Sequence, residues 1–133
     1  MSIRYKDAAL VLAAAIEKAK QQNIPVSIAV VDLGGHLVAF ARVDSVPGVV
    51  DFAIRKARTA VMFGVDSEEM GTIISGAGMQ GYGMINSNDG LLTIAGGVLI
   101  KDKNDLCIGA IGSSGGAPAQ DKEIAQAGAL ALT

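Results

Sequence analysis

The stretch VSIAVVDLGGHLVAFARV, residues 26–43, constrains the fold more than any other part of the chain. Two runs rich in β-branched residues flank Leu33-Gly34-Gly35, and glycines supply the positive φ that tight hairpin turns need. The pattern predicts strands over 26–32 and 36–43 joined as a β-hairpin. With Gly34 and Gly35 as the central turn residues, Val31 faces Val38 and Ala29 faces Phe40. A period of two then places His36, Val38, Phe40 and Arg42 on one face and Leu37, Ala39 and Ala41 on the other. Both faces are largely apolar, so the hairpin is expected to be covered by helices on both sides.

The flanking sequence supplies such helices. Ala9, Leu12, Ala13, Ile16 and Ala19 recur at helical spacing over 6–22, and Asn23 and Pro25 end the run. GVVDFAIRKARTAVMF, 48–63, has a core stripe of Val50, Ala53, Ile54, Ala57 and Val61, with Gly64 as its stop. Asp66 and Glu69 resemble a capping box opening a short helix over 67–75. Residues 75–90 lack periodicity and read as a long surface loop. TIAGGVLIKD (93–102), a turn at Lys103-Asn104 and LCIGAIGSS (106–114) read as the remaining strands, and a last helix runs from Pro118 to about Leu130. Asp121 and Glu123 fall near its first turn, where they complement the helix dipole. The order α-β-β-α-α-β-β-β-α lacks strict βαβ alternation and points to an α+β antiparallel sheet between helix layers.

Bulk composition narrows the function. The 133 residues are the size of one domain. Half are hydrophobic but only 4% aromatic, so the core is aliphatic. A net charge of -2 argues against nucleic acid, which needs a basic face. No apolar run is long enough to cross a membrane, and the charged start MSIRYKDAAL does not fit a signal peptide. The single cysteine, Cys107, has no intrachain partner and no zinc spacing exists. A cytoplasmic protein is expected. Seventeen glycines with a mean hydropathy of +0.42 also suggest apolar surface shared between subunits.

VVDLGGHLVAFARVD, AIRKARTAV, IAGGVLI and GAIGSSGGAPAQDKEIAQAGA, in that order, resemble the GlcG/HbpS-like haem-binding family, whose domain also forms the C-terminal part of PduO-type cobalamin adenosyltransferases. The resemblance spans nearly the whole chain. It implies one domain over 1–133, a profilin-like fold with a five-stranded antiparallel sheet, and homo-oligomers built from dimers. It also implies a haem or other small-molecule ligand. An accessory role in glycolate or diol metabolism fits the genes that neighbour family members.

Three clusters are candidate sites. His36, the only histidine, is a natural axial ligand to haem iron, or merely opens a strand after a turn. No CxxCH is present, so any haem is held non-covalently. Tyr5, Tyr82, Cys107 and the methionines are weaker axial ligands. GSSGGAPAQD, 112–121, runs glycine-rich chain into a helix start, leaving amides for a carboxylate or phosphate, with hydroxyls from Ser113 and Ser114 and backbone from Gly115 and Gly116. Its alternative is a tight strand-to-helix connection. On the second helix Phe52, Lys56, Thr59 and Phe63 form one stripe, suited to a subunit contact, a pocket wall or a solvated flank. Asp51 and Arg55 can pair at i, i+4. Arg42 and Arg58 are candidate carboxylate clamps. Met70, Met79 and Met84 read as gap-filling residues, and Gly109 and Gly112 as points of close approach. Asp32 and Asp44 are single carboxylates at strand ends. The competing function is a small isomerase or tautomerase acting on a carboxylated metabolite, carried by the anion-ready helix start and the cations Arg42, Lys56 and Arg58.

Overall fold

The computed structural model describes residues 1–133. Helix α1 (Tyr5–Gln21) precedes strands β1 (Val26–Asp32) and β2 (Leu37–Val43). Helices α2 (Gly48–Phe63), α3 (Ser67–Gly76) and α4 (Met79–Tyr82) follow, then β3 (Gly97–Lys101), β4 (Cys107–Ser114) and α5 (Pro118–Ala129). The sheet has four strands in the order β2-β1-β4-β3, every pairing antiparallel. The α+β class and the helix layers on both faces agree with expectation; the fifth strand does not. Thr93–Gly96 is not strand: the Ile94 carbonyl accepts from the Ser67 hydroxyl at 2.6 Å, and Gly96 sits at φ 128.

Helices α1 and α5 cover one face of the sheet. Ile28, Val30, Ile100 and Ile111 meet Val11, Ala15 and Ile124 there in the main core. Glycine sets the spacing, since a Cβ on Gly128 would lie 2.6 Å from Ile111 Cδ1 and 2.9 Å from the Val11 carbonyl. The buried stripe of α1 is Ala8, Val11, Ala15 and Ala19, displaced from the expected one although Ala19 is common to both. Nearly every residue of α1 from Ala8 to Ile16 is apolar, so periodicity leaves the rotation open, and the small alanines win the face that α5 approaches.

Helix α2 lies on the opposite face, with Ala57 and Ala60 against Val31 and Ala110. Two strand glycines bring it unusually near. A Cβ at Gly112 would overlap the Ala53 carbonyl oxygen, and one at Gly97 would overlap that of Lys56. The close approach expected at Gly112 is therefore made by a helix of the same chain. At Gly109 it is the neighbouring β1 backbone, at Val31.

The hairpin differs from expectation in its turn. Gly35 N–H donates to the Asp32 carbonyl at 3.0 Å, so Leu33 and Gly34 are the central residues and Gly35 follows them at φ 80. Such a three-residue loop ends in a bulge. Ala29 does face Phe40, but Val31 faces Leu37, and Val38 turns toward the main core, away from the Phe40 and Arg42 face. The β3–β4 turn repeats this plan, with Asp105 N–H donating to the Asp102 carbonyl and Asp105 at φ 63.

Residues 75–90 are not one open loop. They contain the end of α3, α4 and a 3-10 turn at Ser87–Asp89. Asp66 precedes α3 as expected but does not cap it: its carboxylate accepts from Leu99 N–H at 3.0 Å, on the edge strand. Ser67 similarly accepts from Gly97 N–H at 2.9 Å. These two side chains protect part of an edge that would otherwise present bare amides.

Candidate functional site

The chain's expected site residues fall into separate places. At the β1–β2 tip, the Asp32 carboxylate accepts from the main-chain N–H groups of Gly34 at 2.9 Å and His36 at 3.0 Å. The turn is thus closed by backbone and one aspartate, and the His36 side chain is left exposed with no bond to another residue. Gly35, beside it, is buried under the end of α2. A Cβ there would sit 2.6 Å from Met62 Cε and 3.6 Å from Arg58 Cγ and Nε. The tip therefore gathers an imidazole, a thioether, a guanidinium and the exposed apolar side chains of Leu33 and Leu37. An imidazole is an axial ligand for haem iron, apolar side chains suit a porphyrin face, and a guanidinium suits a propionate. The residues fit such a group.

The β4–α5 corner is different. Lys56 is fully buried, and its Nζ donates to the Ser113 carbonyl at 2.9 Å and to Asp121 Oδ2 at 3.0 Å. It reaches α5 past Gly96, whose missing side chain leaves room for it. Asp121, only 2% exposed, also accepts from Gly116 N–H at 2.9 Å, while the Gln120 side chain takes Ala117 N–H at 2.9 Å. The amides expected to hold a ligand anion are occupied by the chain's own side chains. Burial lowers the Lys56 ammonium and raises the Asp121 carboxyl, and their mutual attraction opposes both shifts. Ser113 and Ser114 are buried within the sheet, and the Ser113 hydroxyl has no partner. Gly115 adopts φ 144 against the Pro25 carbonyl, which makes it part of a tight connection.

Arg42 stands apart from both. Its Nε and Nη2 donate to the Ser45 carbonyl at 3.0 and 2.7 Å, so its fork is engaged by the loop before α2. Of the mixed stripe on α2, Lys56 and Thr59 are interior, and Thr59 accepts from Leu92 N–H at 3.0 Å. This excludes the solvated-flank reading for those two residues. The Asp51–Arg55 pair forms at 2.6 Å, and its hydrogen bond raises the Arg55 pKa. Met70 is buried and Met84 packs beside it, whereas Met79 is exposed. Nothing in the spacing of the chain announces that Asp121 partners Lys56. The one signal available was a lysine on a helix stripe otherwise made of Phe and Thr. The place of Met62 at the tip is also invisible in the sequence, because it arises only where the end of α2 packs on Gly35.

The geometry defines an α+β protein with a free imidazole at a hairpin tip and no group of three or more metal-binding side chains. Residues 3–130 match the family described as haem degrading protein HbpS-like, and the chain belongs to that family. An uncharacterised 15.0 kDa protein from the dhaT-dhaS intergenic region of Citrobacter freundii is 35% identical over 121 residues, covering 90% of this chain and 84% of that protein. The corrinoid adenosyltransferase PduO of Salmonella typhimurium is 29% identical over 99% of this chain. The chain spans only 39% of that protein's length. Among solved structures, a PduOC:heme complex superposes with a TM-score of 0.88 at 26% identity, covering 100% of this chain and 96% of that one. HbpS superposes with a TM-score of 0.88 at 29% identity, covering 100% and 92%. No helix is long and apolar enough to cross a membrane.

Proposed function

We propose that this protein binds haem, non-covalently, at the β1–β2 tip, with the His36 imidazole as axial ligand and Arg58 as the partner of a propionate. One observation carries the reading: the chain's only imidazole is exposed and unbonded at the hairpin tip, where Leu33 and Leu37 are also exposed and the adjacent Gly35 packs on Met62 and Arg58. Membership of the HbpS-like family and likeness to a heme complex support the choice of ligand. The proposal extends to a single HbpS-like domain over 1–133, a cytoplasmic location and homo-oligomers built from dimers. The competing reading, an enzyme for carboxylated metabolites, is weaker: of its three cations only Arg58 lacks an internal bond, while Arg42, Lys56 and the amides of Gly116 and Ala117 are engaged within the chain.

A haemin titration followed in the Soret region tests the reading. Saturable binding is expected for the wild type, with at least a tenfold weaker affinity in His36→Ala. Equal affinity in the two proteins would remove His36 from the site.

A further inference from the structure

The two hairpin turns of the sheet share one plan. In the first, Asp32 N–H donates to the His36 carbonyl at 2.9 Å and Gly35 N–H to the Asp32 carbonyl at 3.0 Å. In the second, Asp102 N–H donates to the Leu106 carbonyl at 2.9 Å and Asp105 N–H to the Asp102 carbonyl at 3.0 Å. The aspartate heading each turn also accepts two main-chain N–H groups on its Oδ1. They come from Gly34 and His36 in one turn and from Asn104 and Leu106 in the other. Gly34 thus corresponds to Asn104, Gly35 to Asp105 and His36 to Leu106. Asn104 shows that this backbone carries a side chain at the position of Gly34. Nor does Gly34 have a positive φ, unlike Gly35 at φ 80. Glycine at such a position costs stability, because it frees the unfolded chain, and the turn gives no reason for it.

The reason lies in what a side chain there would meet. A Cβ on Gly34 would sit 2.8 Å from His36 Cδ2 and 3.1 Å from His36 Nε2, with Asp32 Oδ1 at an ordinary 3.4 Å. Only the imidazole is crowded. We infer that Gly34 is a positioning residue, whose bare Cα seats the His36 ring against the turn and presents it to solvent in one orientation. No hydrogen bond from the ring to another residue does this instead. A ligating side chain held in place beforehand removes an ordering cost from the binding step. The use of the seat for haem rests on the reading above; the seat itself does not.

The test replaces Gly34 by Ala and, separately, by Asn, the residue of the second turn. Both variants should melt at or slightly above the wild-type temperature. Gly35→Ala, with its positive φ and an added Cβ 2.6 Å from Met62 Cε, should melt lower. Haemin affinity should fall roughly three- to tenfold in both Gly34 variants, the range that an off-rotamer side chain gives, with a displaced Soret maximum. In the free wild type, an NMR cross-peak should join the Gly34 Hα protons to His36 Hδ2. A wild type that binds no haemin would overturn the ligand reading, and the cross-peak alone would then decide the seat. Binding that falls in His36→Ala yet keeps its affinity and Soret maximum in both Gly34 variants would overturn the seat. So would a missing cross-peak. A drop in melting temperature as large as that of Gly35→Ala would make Gly34 a structural glycine and overturn the inference.

Discussion

The hairpin tip and the β4–α5 corner are both glycine-rich, both carry a residue suited to binding, and end oppositely. At the tip, backbone and the Asp32 carboxylate close the turn, so the His36 ring is left over. At the corner, Lys56 enters the interior and must find a counter-charge, so Asp121 is consumed and with it the amide of Gly116. A buried ammonium is too costly to leave unpaired. Glycine plus cation is therefore an ambiguous signature. What separates a ligand site from a latch is whether the polar groups already have partners in the chain.

The largest expected effect comes from breaking the latch. Asp121→Ala leaves Lys56 charged and alone in the interior and should cost about 3–5 kcal/mol in chemical denaturation. Replacing both partners, as Lys56→Met/Asp121→Leu, should be far milder than Asp121→Ala alone, because no unpaired charge remains. A loss under about 1 kcal/mol for Asp121→Ala would mean that the corner admits water. Gly112→Ala comes next. Its Cβ meets the Ala53 carbonyl, so α2 must move, and overpacking of this kind costs about 1–3 kcal/mol. A melting temperature equal to wild type would refute the close helix-to-sheet approach. His36→Ala should sit within about 0.5 kcal/mol of wild type, as an exposed side chain without partners does. A larger loss would make the tip structural and erase the contrast with the corner.

The smallest effect expected is at the Lys122–Glu68 surface pair, 2.7 Å apart. Its hydrogen bond to Glu68 raises the Lys122 pKa above the unfolded value of 10.5. A folded pKa above the unfolded one gives stability that is complete below 10.5 and lost as pH rises through the folded value. The small difference between wild type and Glu68→Gln should accordingly be present near neutral pH and vanish in strong alkali. A difference that persists there would have another origin.

Local signals carried much of this fold. Helix α2 begins and ends where GVVDFAIRKARTAVMF does, because Gly64 at φ 69 enforces the stop. The strands of the hairpin and of β4 lie within a residue of the runs that announce them. Other features depend on partners distant in sequence. Asp66 looks like a cap until β3 supplies an amide from residue 99 that takes its carboxylate. The Lys56–Asp121 pair joins positions 65 apart, which no periodicity connects. The turn departs from its sequence signal more locally: two glycines suggest two central residues, whereas only Gly35 has positive φ. Of the candidate site residues, His36 lies at the tip and Arg58 packs on the adjacent Gly35. Lys56 and the 113–116 segment meet at the corner, and Arg42 joins neither.

The most direct test follows the ring of the single histidine by 15N NMR while haemin is added to the folded protein. If the tip is the binding site, the His36 imidazole signals broaden beyond detection at one equivalent, and the amides of Gly115 and Gly116 stay in place. Unchanged His36 ring signals, with the Gly115 and Gly116 amides shifting instead, would contradict the assignment of the two regions.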